Sequence, residues 1–586
     1  MPVDTDRRAR RAGLLAILCV ALAWALVMQA AGWAQSSNYA LVRALSHGTA
    51  KIDHYQWETK DKSYVRGHFY SVKAPGLAFL VLPLYEALDA AGARSLAHDA
   101  AHNADVHGAG RWVQGGPPRG NYGGSHARAV RVRTEVADGT PMIWALGLLG
   151  AVVPALVLLL LVRALAERIE PGYGTAAALT LGLATLVMPF ATLFFSHVLA
   201  ATLAFAAFAL LWREREGAPR HALVVVAGLL AGLAVSTEYP LAIAGAAVGL
   251  YAIARGDVVR RGVAYAAGVV AGVIPLALYN LWAFGALTHF SYDDAVAVQG
   301  SSGHAALGLN DGGFFGIGAP SVPVAAKLLF SGRGLVTLCP VVALGAVGTV
   351  LLYRRGRRAE ALTIGGIALA YLVYNSGYWL PFGGGAPGPR FLIPALPFLA
   401  VPIAHAYKRF PATTLALALP SALLMLAATT ALPLIGNGDI GIWGHLLKVG
   451  IFEHTVVSVL GGDNSWPAVL PVLAAAAAAV AFARAATVRL DLARDARLAF
   501  AVLGAWAALA VLLPRVLVEA PDAGPTAGAA AVIAGVTLLA AAALAVSLAA
   551  QRRPLRKATP ARSLAPRLER VKGSPRTRAP HPEPRS

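Results

Sequence analysis

Apolar runs of 18 or more residues recur along this chain from near its start to about residue 549. A helix of about 20 apolar residues is what crosses the hydrocarbon core of a bilayer. Hydrophobic residues make up 57% of the 586 and charged residues only 14%, a balance that soluble globular proteins do not have. The sequence therefore predicts an all-α polytopic membrane protein of the cell (plasma) membrane, embedded in the lipid bilayer.

The apolar runs divide into fourteen predicted spans, with a long polar interval after the first. Their approximate bounds are 12–34, 141–163, 174–192, 195–212, 221–237, 239–254, 262–284, 335–352, 361–380, 391–407, 412–434, 467–484, 497–514 and 527–549. Residues 1–550 are thus predicted to form one transmembrane domain. The Arg- and Pro-rich tail, 551–586, has almost no large apolar residues and is predicted to be disordered.

Arginine and lysine are concentrated in every second loop between the predicted spans. The positive-inside rule places these loops, and with them both termini, in the cytoplasm. The loops at about 35–139, 285–334 and 435–466 then face outward. The net charge of +20 is accordingly an orientation signal, and no nucleic-acid partner is predicted.

The first outward loop, residues 35–139, begins with a polar segment and continues with a short apolar one. The apolar part, 74–91, contains Pro83 and is short for a span, so we expect a helix lying in the membrane interface. Residues 94–139 are rich in Gly, His, Arg and Pro. We expect that part of the loop to be mobile.

Acids, a base and aromatic residues gather in the polar segment of the first loop. Asp53 and Asp61 precede His68, Tyr70 and Lys73 within about twenty residues. A carboxylate held at a membrane surface can act as a general base toward a hydroxyl group. A lysine beside it can hold a phosphate as a compact charge, so this segment is the predicted catalytic region.

Further candidate residues lie at the predicted outer ends of later spans. His197 falls where one short span turns into the next, and Glu238 ends another; ionisable residues at membrane depth are functional candidates because they are costly to bury. Arg390 follows a Gly-rich run and is predicted to reach a lipid phosphate, the alternative being that it extends to the headgroups. Gly383, Gly385 and Gly388 satisfy G-x-G-x-x-G, but no strand precedes them, so the dinucleotide-binding interpretation fails.

Two other clusters have simpler interpretations. A histidine- and aspartate-rich stretch has helical spacing and could ligate a divalent metal, but its Gly-rich surroundings offer no tight ligand pattern. Its members are His98, Asp99, His102, Asp105 and His107. Asp293 and Asp294 could form a second acidic pair, although turn formation after Ser291-Tyr292 is the favoured role. No cofactor is predicted, and a divalent metal is left open.

The first loop resembles that of bacterial membrane glycosyltransferases of the GT-C fold, including protein O-mannosyltransferases and lipid A aminoarabinose transferases. The matching residues are Gly48-Thr49, Ile52-Asp53, Asp61 and the run from Gly67 to Gly76, and the Gly-Pro-Arg-Phe-Leu-Ile-Pro run at 388–394 is also similar. Those relatives have an acidic pair directly after their first span, where this chain has Asn38-Tyr39. The predicted base is therefore Asp61, with Asp53 second.

The resemblance implies a polyprenyl-phosphate-linked sugar donor and chemistry on the outer face of the membrane. The acceptor would be a hydroxyl group on a glycan, a lipid or a protein. His68, Tyr70, Lys73, Arg390, His197 and Glu238 are the predicted substrate-binding residues. The competing hypothesis is a polytopic transporter or lipid flippase, in which the first loop is a lid; such proteins usually contain internal repeats and midplane charges, and the sequence has neither.

Overall fold

The computed structural model describes residues 2–107, 125–292, 294–295, 316–435, 439–518 and 526–552. Helices form most of this part of the chain, which confirms the predicted all-α membrane class. Two small antiparallel sheets are also present. One pairs Lys62–Val65 with His68–Ser71, and the other pairs Val27–Met28 with His454–Thr455.

The first half of the described chain contains twelve α-helices, numbered here in chain order. They are α1 (Pro2–Ala25), α2 (Trp33–Ser46), α3 (Gly76–Ala90), α4 (Ala93–His107), α5 (His126–Gly147), α6 (Val153–Ile169), α7 (Gly174–Leu183), α8 (Val187–Phe190), α9 (Ser196–Glu216), α10 (His221–Thr237), α11 (Leu241–Ile253) and α12 (Val258–Phe284). A π-helical turn, Leu148–Val152, joins α5 to α6 into one continuous helix.

The second half of the described chain has more short and broken helices. Its α-helices are Val322–Phe330, Leu335–Leu338, Val342–Arg354, Arg358–Ser376, Leu396–Ala400, Ile403–Arg409, Pro411–Ala431, Gly441–Val449, Val456–Val459, Trp466–Ala486, Ala496–Leu512 and Ala527–Arg552. A 3₁₀ turn, Arg390–Ala395, follows the Gly-rich loop.

The predicted number of fourteen spans is not confirmed. By length and composition, seven helices of the described residues could each cross a membrane, or ten if three bent helix pairs each count as one span. The bends measure 86°, 89° and 55°. Two of them fall at Pro340 and Pro402, where a proline removes a helical hydrogen bond. Runs that read as continuous in sequence are thus divided into shorter helices.

The polar part of the first loop folds into a β-hairpin. Arg66 and Gly67 form its two-residue turn with positive φ angles of 50° and 89°, the conformation that matches the twist of paired strands. The register pairs Lys62 with Ser71. Beyond that pair, the backbone amide of Val72 lies 3.5 Å from the carbonyl oxygen of Asp61. Lys73, one residue further along, is therefore close to Asp61.

The remainder of the first loop differs partly from expectation. The apolar part forms a helix, Gly76–Ala90, within the expected bounds of 74–91. The segment 94–139, expected to be mobile, instead contains α4 and the first half of α5. These two helices pack together and bury Ala97, Val132 and Val136, and apolar burial of this kind orders a polar helix. Residues 108–124 and the tail from 553 lie outside the described residues.

Gly76, the first residue of α3, fixes where the hairpin meets the helices. A Cβ atom at this position would lie 2.6 Å from Oγ1 of Thr237 and 2.7 Å from the carbonyl oxygen of Ser236. Only glycine therefore permits such close contact with the end of α10. The contact places Lys73 beside Glu238, the residue that follows α10.

Candidate active site

A cavity of about 480 Å³ opens between the first loop and the ends of several helices, a volume typical of small-ligand sites. Four predicted binding residues line it: Lys73, His197, Glu238 and Arg390. The other polar and aromatic residues in its wall are Asn38, Ser196, Thr237, Phe195, Tyr239, Tyr292, Tyr374, Tyr378 and Phe391. Residues far apart in sequence thus meet around one cavity.

Asp61 and Lys73 form an ion pair at the edge of this cavity. The Nζ atom of Lys73 lies 2.7 Å from Oδ2 of Asp61, and both side chains are nearly nine-tenths buried. Ser37 of α2 donates a 2.5 Å hydrogen bond to the backbone oxygen of Asp61 and contacts the hydroxyl of Ser71 at 2.8 Å. The hairpin is thereby tied to α2, which holds the ion pair in place.

His197 and Glu238 form a second buried pair in the cavity wall. Nδ1 of His197 lies 2.6 Å from Oε1 of Glu238. The histidine ring stacks on Phe195 and meets Phe190 and Phe391 edge to face, with ring centroids 5.4 to 5.8 Å apart. Three aromatic contacts and one hydrogen bond therefore fix the orientation of the imidazole.

Arg390 is the cation in the wall opposite the first loop. Its guanidinium lies over the rings of Phe195 and Phe391, 5.4 and 5.3 Å from their centroids. Its Nε atom is buried, and no hydrogen-bond partner for it is found among the described residues. No ion pair joins this half-buried guanidinium to a carboxylate of the described residues, so the position suits an anionic ligand.

Gly383 allows Arg390 to lie where it does. Its φ is +75°, and a Cβ atom there would lie 2.4 Å from Nε of Arg390. We expect Gly383→Ala to displace the guanidinium and to weaken binding of a lipid phosphate, the ligand predicted for Arg390 from the sequence, about tenfold, by loss of a charge-assisted contact. Gly384→Ala is the control, because Gly384 has a φ of +82° but only Leu380 within 4 Å. Equal affinities of the two variants, measured in nanodiscs, would contradict this positioning role.

Four of the predicted site residues are not in the cavity wall: Asp61, Asp53, His68 and Tyr70. Asp61 contacts the wall residue Lys73 through its ion pair. Asp53 accepts hydrogen bonds from Nδ1 of His68 at 2.8 Å and from the backbone amide of Phe69 at 2.7 Å, and both side chains of the Asp53–His68 pair are about two-fifths exposed. Tyr70 is buried against Phe284, with ring centroids 4.9 Å apart. Asp53, His68 and Tyr70 thus brace the hairpin.

Lys62 is fully buried beneath the hairpin, although it follows Asp61 directly. Its Nζ donates to the backbone oxygen of Gln56 and lies 5.0 and 4.9 Å from the ring centroids of Trp57 and Phe69. Burial lowers the pKa of this ammonium from 10.5 to about 7. The cause is the removal of the charged ammonium from water, which disfavours the protonated form.

This burial predicts a pH-dependent stability. Between pH 7 and 10.5 the unfolded chain binds one more proton at Lys62 than the folded chain does, so stability rises with pH by up to about 1.4 kcal/mol per unit. Below pH 7 both forms are protonated and the contribution is constant. We expect Lys62→Met to raise the thermal unfolding midpoint most at pH 6 to 7, and the gain to shrink toward pH 9. A gain independent of pH would contradict the prediction.

The predicted metal and acid-pair sites find no support in the described residues. No group of three His, Cys, Asp or Glu side chains there is placed to hold a metal ion. His98 pairs with Asp138 at 3.1 Å, while the side chains of Asp105 and His107 lie outside the described part. Asp293 also lies outside it, and the carboxylate of Asp294 pairs with His289 at 3.0 Å.

Sequence reasoning missed several residues of the cavity wall. In the sequence, Asn38 was noted only because it stands where the GT-C relatives have an acidic pair, and Tyr292 only as part of a turn. Tyr374 and Tyr378 belong to the run before the Gly-rich loop. The available signal was position, because each of these residues stands at an end of an apolar run on the predicted outer side.

Comparisons with known proteins gave distant structural likenesses. No family model matches the sequence, and no curated protein matches it significantly. ArnT from Cupriavidus metallidurans bound to undecaprenyl phosphate is 13% identical over 90% of this chain and 87% of its own, with a TM-score of 0.37. The apo form of that protein gives 13% over 84% and 78%, with a TM-score of 0.40. The apo oligosaccharyltransferase of Archaeoglobus fulgidus gives 12% over 87% and 58%, with a TM-score of 0.37.

These matches are to GT-C fold enzymes, the class that the first loop resembles in sequence.

Proposed function

We propose that this protein is a membrane glycosyltransferase that moves a sugar from a polyprenyl-phosphate donor to an acceptor hydroxyl group on the extracytoplasmic face. The observation that carries the proposal is the meeting of two cations, Lys73 and Arg390, in one cavity, with the acid Asp61 in an ion pair with Lys73. A cytosolic nucleotide sugar would not reach such a face, whereas a lipid carrier presents its phosphate and sugar at the membrane surface.

The orientation is supported by the charges at the two ends of the same helices. The starts of α9 and α11 and the end of α10 lie at the cavity, where His197 and Glu238 stand. The other ends of α9 and α10 lie among ion pairs of arginine with Glu214 and Glu216, contributed by Arg168, Arg255, Arg261 and Arg357. Since arginine-rich ends stay in the cytoplasm, the cavity faces outward.

Lys73 and Arg390 would hold the phosphate of the donor. Arg390 offers a planar fork of donors that suits phosphate oxygens, and Lys73 offers a compact charge. As the bond between the sugar and the phosphate breaks, negative charge grows on the leaving phosphate. Both cations would stabilise that charge more strongly than they do the bound donor, which accelerates the reaction.

Asp61 is the proposed general base. It would accept the proton of the acceptor hydroxyl, whose oxygen attacks the anomeric carbon from the face opposite the phosphate. The carbon–oxygen bond to the phosphate breaks, and its electron pair leaves with polyprenyl phosphate. Attraction of Lys73 toward the donor phosphate would loosen its 2.7 Å contact with Asp61 and free the carboxylate for proton transfer.

A transfer assay in nanodiscs tests this function. Purified protein would receive undecaprenyl phosphate linked to glucose, mannose, galactose or arabinose, together with a cell-envelope extract as the source of acceptor. We expect enzyme-dependent release of undecaprenyl phosphate with at least one donor and labelling of the extract by its sugar. Movement of intact donor between leaflets of vesicles, without cleavage, would favour the flippase hypothesis and contradict ours.

The proposed orientation makes a separate prediction. Native Cys19 and Cys339 would first be replaced, and single cysteines would then be introduced at His54, an exposed residue of the first loop, and at Ser574 in the tail. A membrane-impermeant maleimide should label His54→Cys in intact cells and Ser574→Cys only after the cells are opened. Labelling of both positions from the same side would contradict the orientation.

A further inference from the structure

The cavity wall formed by α2, α9 and the end of α10 presents hydrogen-bond acceptors that lack donors. Oε2 of Glu238, Nε2 of His197 and Oδ1 of Asn38 are all buried, and none has a partner among the described residues. All three side chains line the cavity. Their residues are between 1% and 9% exposed, so each bare acceptor carries a desolvation cost unless a ligand or water donates to it.

The hydrogen bonds that these side chains already make determine which of their atoms is left without a partner. Nδ1 of His197 faces a carboxylate oxygen at 2.6 Å and so must carry the hydrogen, which leaves a lone pair on Nε2 in the neutral ring. Burial disfavours a positive charge on this ring, and Arg390 and Lys73 would repel one, whereas the carboxylate of Glu238 acts in the opposite direction; burial is the largest of these effects. Nδ2 of Asn38 donates to the backbone oxygen of Ala34 at 3.1 Å, which directs Oδ1 to the cavity.

The cavity therefore offers two kinds of polar group. Lys73 and Arg390 supply donors and positive charge, which suit a phosphate. The unpartnered atoms of Asn38, His197 and Glu238 are acceptors: the carboxylate of Glu238 would repel a phosphate, and a hydrocarbon chain could satisfy none of the three. A ligand that fits both kinds of group needs an anion and several hydroxyl donors.

We propose that Asn38, His197 and Glu238 form the binding site for the sugar of the lipid donor and accept hydrogen bonds from its hydroxyl groups. This inference rests on the proposed function, because it places the sugar next to the phosphate held by Lys73 and Arg390. It adds the substrate class: a sugar with free neighbouring hydroxyl groups. The packed imidazole of His197 makes the acceptors rigid, so a sugar that lacks one of these hydroxyls would leave an acceptor unpaired and bind weakly.

Binding measurements can separate the sugar from the phosphate. Undecaprenyl phosphate alone and the same lipid linked to glucose, mannose, galactose or arabinose would be titrated into protein in nanodiscs. We expect at least one sugar-linked lipid to bind wild-type protein about tenfold more tightly than the bare lipid phosphate. Glu238→Gln places an amide donor where an acceptor stood, and it should abolish this gain while changing affinity for the bare lipid less than about threefold.

Two further variants complete the experiment. Lys73→Ala should weaken binding of bare and sugar-linked lipids by the same factor, because both contain the phosphate. Glu360→Gln is the matched control: this buried glutamate accepts a hydrogen bond from Tyr251 at 3.0 Å and does not line the cavity. The Glu360→Gln variant should still bind the sugar-linked lipid about tenfold more tightly than bare undecaprenyl phosphate.

Three results would overturn the inference. In the first, wild-type protein binds no sugar-linked lipid more tightly than bare undecaprenyl phosphate. In the second, Glu238→Gln still binds a sugar-linked lipid about tenfold more tightly than the bare lipid. In the third, Glu238→Gln reduces the affinity for the bare lipid as much as the affinity for the sugar-linked lipids. A failure of wild-type protein to bind any of these lipids is a different outcome, because it contradicts the proposed function itself.

Discussion

The Asp61→Asn variant is expected to lose sugar transfer by about two to four orders of magnitude, the usual contribution of a general base. Asparagine keeps the shape of the side chain and removes its ability to accept a proton. Lys73, freed from its 2.7 Å ion pair, remains available to the phosphate. The loss should therefore fall on the turnover number and leave the affinity for undecaprenyl phosphate unchanged or slightly higher.

Asp53→Asn is the matched comparison, since both acids lie in the same hairpin region. Asp53 is bonded to His68 and to the backbone of Phe69, outside the cavity wall. We expect this variant to transfer sugar within a few-fold of the wild-type rate. Collapse of Asp53→Asn with near-normal turnover in Asp61→Asn would transfer the role of base to Asp53. Near-normal turnover in both variants would exclude these two acids as the base.

Lys73→Ala and Arg390→Ala are each expected to weaken donor binding by about 2–5 kcal/mol, because a buried phosphate left with one cation loses a charge-assisted contact. Transfer measured at limiting donor should fall by a similar factor. The half-saturating donor concentration should rise, and the turnover number should also fall because the cations stabilise the leaving phosphate; loss of Asp61 should lower the turnover number alone. The two classes of variant are thus distinguished by a single kinetic experiment.

Exposed cations provide the controls for this prediction. Lys51 and Arg131 are exposed and lie outside the cavity wall, so Lys51→Ala and Arg131→Ala should bind donor like the wild type. Wild-type transfer rates at limiting donor in both Lys73→Ala and Arg390→Ala would show that these cations do not hold the phosphate. An equal loss in the control variants would show that only the general surface charge matters.

The sequence predicted the parts of this protein that depend on local pattern. Apolar runs identified the helical membrane class, and the turn at Arg66-Gly67 lies inside the polar segment singled out from its acids and its lysine. Four residues from separate regions were predicted to bind substrate: His197 and Glu238 because ionisable groups at membrane depth are costly, and Lys73 and Arg390 because a cation at the outer surface can hold a lipid phosphate. The structure brings these four together around one cavity.

The parts that could not be predicted depend on contacts distant in sequence. The ion pair of Asp61 with Lys73 depends on the hairpin, which pairs Lys62 with Ser71 and brings the residues on either side of it together; the choice between Asp53 and Asp61 as the base stays a prediction. Asn38 is uncharged and was therefore not selected as a site candidate from the sequence; its place in the cavity wall follows from the packing of α2. The order of α4 and α5 arises from their mutual packing, which composition alone does not reveal.

The most direct test of the central claim is a cryo-EM structure of the protein in nanodiscs with undecaprenyl phosphate. The account predicts density for the phosphate group in the cavity, with its oxygens within about 4 Å of both Nζ of Lys73 and the guanidinium of Arg390, the distance at which ion pairs form. The same density should be absent from the Lys73→Ala, Arg390→Ala double variant. A phosphate bound elsewhere on the protein, or one that remains in place in the double variant, would contradict the account.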